Sequence, residues 1–145
     1  MMVQPLCGWR MVKTTQRRTK VDFAACMKDL VDVYFPEAET IRVVLDNLNT
    51  HNPSSLYEAF PPAEARRILR KLDFHYTPKH GSWLNMAEIE ISVLSRQCLQ
   101  QRLPSVLELE TQVTAWTKHR NAHAVMIKWC FNLDHARTKL ARLYP

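Results

Sequence analysis

Hydrophobic positions change their period several times along this chain, and each change marks an element. Residues 6–15 carry strand-like stretches around Trp9, Met11 and Val12, with Gly8 placed for a bulge or turn. From Thr19 the spacing becomes helical. Val21, Ala24, Ala25, Met27 and Val31 fall among charged residues, Thr19 and Asp22 have the spacing of an N-terminal cap, and Pro36 closes the segment. Residues 41–45 (Ile-Arg-Val-Val-Leu) form a short β-branched run that predicts a buried strand. A polar turn follows, from Asp46 to His51, then two short helices at 53–57 and 62–71, each opened by proline. Residues 72–76 predict another strand and 77–82 a loop. Beyond it Leu84, Ala87, Ile91, Leu94 and Cys98 recur in steps of three and four, an apolar helical stripe that Pro104 ends. Further helices are predicted over 105–123 and 133–143. Strands alternating with helices, followed by extra helices, imply an α/β domain with its sheet flanked by helices.

Composition narrows the class. The 145 residues suit one domain, and a hydrophobic share of 46% supports a core and excludes disorder. No apolar run reaches the roughly 20 residues a membrane span needs, and the N-terminal segment lacks the apolar stretch of a secretory signal. Cys7, Cys26, Cys98 and Cys130 are scattered without a C-x-x-C pair, which predicts free, mostly buried thiols in a reducing, cytoplasmic setting. His119 and His123 lie four apart with no third ligand nearby, the pattern of a solvated helix face. The net charge of +6 is uneven: residues 1–20 hold five basic and no acidic side chains, whereas 21–62 hold two basic against seven acidic. Basic ends around acidic centres suit a polyanion bound near grouped carboxylates, although segregation this modest also occurs in proteins that touch no nucleic acid.

Two regions carry candidate chemistry. Asp46 ends a predicted strand, at the carboxyl edge where open α/β sheets place their sites, and an Asp there also caps turns. Glu88 and Glu90 flank the stripe of the later helix, and spacing does not separate them; Asn85 and Glu88 also match a capping box. Carboxylates on a strand end and on a helix can converge on Mg²⁺ or Mn²⁺, hard cations held by few carboxylates and several waters. A pair of such ions activates an attacking hydroxyl and stabilises the leaving oxygen of a phosphodiester. Lys79 and His80 precede the helix and suit phosphate contacts, and Trp83 suits packing against a base or sugar or anchoring the loop.

Residues 44–51 (Val-Leu-Asp-Asn-Leu-Asn-Thr-His) and 74–90 (Phe-His-Tyr-Thr-Pro-Lys-His-Gly-Ser-Trp-Leu-Asn-Met-Ala-Glu-Ile-Glu) closely resemble the mariner-like group of bacterial insertion-sequence transposases, DDE superfamily endonucleases. Residues 17–24 and the ending at 136–145 are similar to the same family, so the resemblance spans essentially the whole chain. It implies a ribonuclease-H-like fold, a mixed sheet flanked by helices, and metal-dependent cleavage and transfer of DNA strands at transposon ends. Family members use three acids. By motif Asp46 is similar to the second, and Glu88, rather than Glu90, to the third; Lys79, His80, Trp83 and Asn85 then become the expected DNA contacts. The family's first Asp lies on the opening strand of the fold, and Asp22, Asp29 and Asp32 fall in a predicted helix that does not match it. The resemblance therefore implies that residues 1–145 run from near the third strand to the natural C-terminus, without the first strands or the helix-turn-helix DNA-reading domain.

Three readings follow. The chain is the C-terminal part of a transposase, inactive alone and completed in trans by an N-terminal fragment, with a two-ion Mg²⁺ or Mn²⁺ site expected only when the missing Asp is supplied; a homodimer is a separate expectation. Alternatively it is a non-catalytic remnant of a decayed element that binds DNA weakly. Third, it is an unrelated interaction domain in which Asp46 and Glu88 are only caps.

Overall fold

The computed structural model of the chain describes residues 1–78, 85–130 and 132–140. Strand β1 (Met2–Gln4) and β2 (Trp9–Met11) form an antiparallel hairpin, with Met2 opposite Met11 and Gln4 opposite Trp9. Gly8 closes the turn at φ 70°, and its amide, like that of Cys7, is bonded to the Gln4 carbonyl. The hairpin is shorter than the expected strand region, and β1 was not anticipated. A three-residue strand shows too little alternation to stand out; only its partner reveals it.

Helix α1 (Lys20–Asp29) starts at Thr19, whose side chain accepts from the Asp22 amide while the Asp22 carboxylate accepts from the Thr19 amide. This reciprocal cap satisfies amides that the first turn leaves open. The helix widens into a π-turn, Leu30–Tyr34, which brings Tyr34 and Phe35 against Trp9 at ring-centroid distances of 5.2 and 5.0 Å. Strand β3 (Ile41–Leu45) and β4 (Leu72–Tyr76) pair in parallel, Ile41 beside Leu72 and Leu45 beside Tyr76. The crossover between them contains α2 (Ser54–Ala59) and α3 (Pro62–Leu69). Pro62 opens α3 as expected, whereas Pro53 sits one position earlier, at the cap of α2. Helices α4 (Met86–Cys98), α5 (Val106–Ala122) and α6 (Leu133–Leu140) complete the order.

The molecule is thus α/β, with six α-helices and two two-stranded sheets among the described residues. The main core gathers Ala24, Met27, Leu30, Val31, Leu56, Ala65, Ile68 and Leu72, with Met2, Trp9, Ile41, Val43 and Phe74 packed against it, so both sheets lean on the same apolar centre. Strand β3 is not buried on both faces. Ile41 and Val43 face the core, while Arg42 and Val44 are exposed, Val44 to 58%. A one-faced strand this short is indistinguishable in sequence from a two-faced one when Val occupies the solvent side.

Helix α4 also departs from its expected stripe. Its buried positions are Glu90, Leu94 and Cys98, while Ile91 is 49% exposed. The buried face is rotated by one residue, and a carboxylate replaces the expected isoleucine inside. A second, smaller cluster joins α4 to α5: Leu94, Cys98 and Val113, with Met1, Val12, Leu109 and Trp116 against them. The four thiols are free; Cys98 is buried and Cys26 half-buried, but Cys7 and Cys130 are exposed, so burial is less general than expected. No helix of the described residues is long and apolar enough to cross a membrane.

Charge ties the first helical layer together. Arg67 on α3 donates from both terminal nitrogens to Asp32 at 2.8 Å and from Nε to Glu64 at 2.8 Å, while Lys28 donates to both carboxylates. Hydrogen bonds from Arg67, then Lys28, hold Asp32 at about 2 against an ordinary 3.8, and Glu64 at about 2 against 4.5. A depressed carboxylate stabilises the fold above its unfolded value and loses that contribution as pH falls towards its folded value. Arg67→Met is therefore expected to be less stable than the wild type at pH 6, with the gap in urea midpoints narrowing from pH 4.5 to pH 2. A gap that stays constant over that range would remove the network from the acid response.

Candidate functional site

The carboxyl ends of β3 and β4 converge on one polar loop. The Thr77 amide donates to the Leu45 carbonyl at 2.9 Å, and the Asn47 side chain donates to the Thr77 carbonyl at 2.6 Å, so the two strand ends are laced beyond the last sheet pair. Asp46 follows the buried Leu45 directly. Its Oδ1 accepts from the Leu48 amide at 3.3 Å and lies 2.5 Å from Nδ1 of His51. Among the described residues Oδ2 has no hydrogen-bond donor, and the side chain is 40% exposed. The capping reading of this strand-end Asp is therefore met by one oxygen, which closes the Asx turn.

The rest of the loop is equally tied. The His51 amide donates to the Leu48 carbonyl at 2.8 Å, the Tyr76 hydroxyl donates to the His51 carbonyl at 3.0 Å, and the buried Ser55 hydroxyl donates to the Thr50 carbonyl at 2.8 Å. The imidazole of His51 packs on Phe23 of α1, with ring centroids 4.9 Å apart.

Glu88 and Glu90 have opposite environments. Glu90 is 1% exposed and is shared between two arginines: Arg10 Nε lies 2.7 Å from its Oε1, and Arg120 donates to both its oxygens at 2.9 and 3.3 Å. Glu88 sits exposed in the first turn of α4, where the helix dipole favours an anion. Burial thus removes Glu90 from surface chemistry and leaves Glu88 available, a distinction that spacing could not make. Asn85 caps α4 by accepting from the Ala87 amide at 3.1 Å; the bond from the Asn85 amide to the Glu88 carboxylate that a capping box requires does not form among the described residues. Three other acids are engaged elsewhere: Asp22 in its cap, Asp29 with Lys13 at 2.7 Å, and Asp32 with Arg67. Lys79, His80 and Trp83 lie outside the described residues.

The structure brings Asp46 and His51 together. It records no contact between Asp46 and Glu88, and no group of three or more His, Cys, Asp or Glu among the described residues is placed to hold a metal ion. By donor chemistry alone each of the two carboxylates, half-exposed Asp46 and exposed Glu88, suits a hard divalent cation that keeps several waters. His51 was read in the sequence as part of a polar turn and as the end of a family-like motif, with no role of its own. Its signal was the five-residue spacing from Asp46, long enough for a loop to fold back on its first residue.

The carboxylate of Asp46 follows the end of a parallel strand, the edge at which open α/β sheets bind their ligands. Residues 1–110 match the family described as DDE superfamily endonuclease, a stretch that contains both Asp46 and Glu88. The chain belongs to that family, a transposase-type nuclease lineage acting on DNA and generally dependent on divalent metals. No curated protein and no solved structure matches it.

Proposed function

We propose that this chain is the C-terminal part of a mariner-like, insertion-sequence transposase catalytic domain with a ribonuclease-H-like fold, acting in the bacterial cytoplasm on transposon ends. Asp46 and Glu88 would hold Mg²⁺ or Mn²⁺, which when bound supplies Lewis-acid stabilisation of the phosphodiester under attack. Asn85 with Lys79, His80 and Trp83 would contact the DNA ahead of α4. The observation carrying this reading is the half-exposed Asp46 on a hydrogen-bonded strand-end loop, inside a stretch that matches a DDE endonuclease family.

The resemblance calls for a third carboxylate, and the reading assigns it to a second polypeptide, an N-terminal transposase fragment. Nicking of supercoiled plasmid bearing the element's ends tests this, with the chain alone and mixed with the product of any reading frame directly upstream. Mn²⁺-dependent nicking that Asp46→Asn and Glu88→Gln each reduce at least 100-fold supports it. Nicking that survives both substitutions sinks it.

A second reading draws on the lack of a three-ligand group among the described residues: a non-catalytic remnant that binds DNA through its basic segments. It expects no nicking in any mixture and DNA affinity that falls steeply with salt and ignores sequence.

A further inference from the structure

The contact between Asp46 and His51 is more than a loop closure, and we infer that His51 is a positioning residue that holds one oxygen of Asp46 and leaves the other to receive a divalent cation. The inference rests on the proposed role of Asp46. A carboxylate only accepts hydrogen bonds, so a 2.5 Å contact to Nδ1 places the proton on that nitrogen. The Leu48 amide points at the same oxygen. Two donors on Oδ1 select one orientation of a carboxylate whose terminal torsion is otherwise broad.

The donor itself is held. Phe23 packs on one face of the ring, and the His51 backbone is fixed at both polar groups, its amide to Leu48 and its carbonyl to Tyr76. Tyr76 is the last residue of β4 and pairs with Leu45, so the loop is anchored to both strand ends. The sheet and α1 therefore set the ring, and the ring sets the carboxylate. Partners of this kind around a ligating group are worth about 10–100-fold in metal affinity.

Manganese titration of the ¹⁵N-labelled 145-residue chain tests the assignment, with Mn²⁺ alone as the probe. Paramagnetic broadening is expected around residues 46–48 in the wild type and is lost in Asp46→Asn. His51→Phe keeps a ring against Phe23 but removes the donor, and should raise the Mn²⁺ midpoint about tenfold. His51→Asn places an amide nitrogen near the position of Nδ1 and should restore affinity although it loses the ring packing. A structural staple predicts the reverse order, with Phe best tolerated and Asn worst.

If His51→Phe binds Mn²⁺ as tightly as the wild type while Asp46→Asn does not bind, the positioning role is overturned and the cation role of Asp46 stands. If the wild type shows no broadening near Asp46, both fall. A metal-free measurement reads the pair directly. Long-range ¹H–¹⁵N spectra should show the proton on Nδ1 of His51, and a proton on Nε2 alone overturns the inference.

Discussion

Glu90→Gln is expected to lower the unfolding free energy by about 3–5 kcal/mol, the range seen when one partner of a buried ion pair is removed. The side chains of Arg10 and Glu90 are 0% and 1% exposed, and Arg120 reaches the same carboxylate while stacking on Trp116 at 5.1 Å. Arg10 also donates to the carbonyls of Gly8 and Val125. These bonds engage both terminal nitrogens without neutralising the charge, while the buried Nε makes no hydrogen bond and depends on its ion pair with Glu90. Burial, more than the neighbouring Arg120, lowers the Arg10 pKa, while attraction to Glu90 raises it. A guanidinium scarcely deprotonates in water. With Glu90 neutral, the fully buried Arg10 stays inside with no counter-ion, and the penalty falls on the fold.

The second core cluster beside the triad is small among the described residues, so little apolar packing offsets the loss. Urea unfolding measures it, as a lower midpoint at unchanged slope. The double variant Arg10→Met/Glu90→Leu removes charge and counter-charge together and should recover much of the loss, because Arg120 is partly exposed and can turn to solvent. A single-variant loss under about 1 kcal/mol would show that water reaches the triad.

That triad also shows where sequence reading stops. Strands β3 and β4, the cap at Thr19 and the span of α5 follow from local spacing, because each depends on residues within a few positions. The burial of Glu90 depends on Arg10, 80 positions upstream, and on Arg120, 30 positions downstream. No local period reports such a partner, so Ile91 was assigned to the inside and Glu90 to a flank. Asp46 was legible because a strand end is a local event. His51 was not, since its role needs Phe23 and Tyr76 from two other elements. The Asn121 side chain, which bonds both backbone groups of Arg10 at 2.9 and 2.8 Å, guards the edge of β2 in the same non-local way.

Gly8→Ala is expected to cost roughly 2–5 kcal/mol, combining about 1–2 kcal/mol for a left-handed backbone with about 1–3 kcal/mol for overpacking. Gly8 has φ 70°, and a Cβ there would stand 2.4 Å from the carbonyl carbon of Ala124 and 2.5 Å from its oxygen. Both obstacles are backbone, so no side chain can swing aside. The clash sits in a seam between the hairpin turn and the segment after α5, where the Ile127 amide donates to the Pro5 carbonyl at 3.0 Å and Arg10 donates to Val125. Forcing the seam apart should therefore speed hydrogen exchange at Ile127 beyond the change in global stability. Ala124 is itself left-handed, at φ 43°. Ala124→Gly relieves that strain but leaves the same carbonyl in place, so it should not rescue Gly8→Ala. Rescue by Ala124→Gly would mean that backbone strain, rather than the meeting of two chain segments, is what makes glycine necessary at position 8.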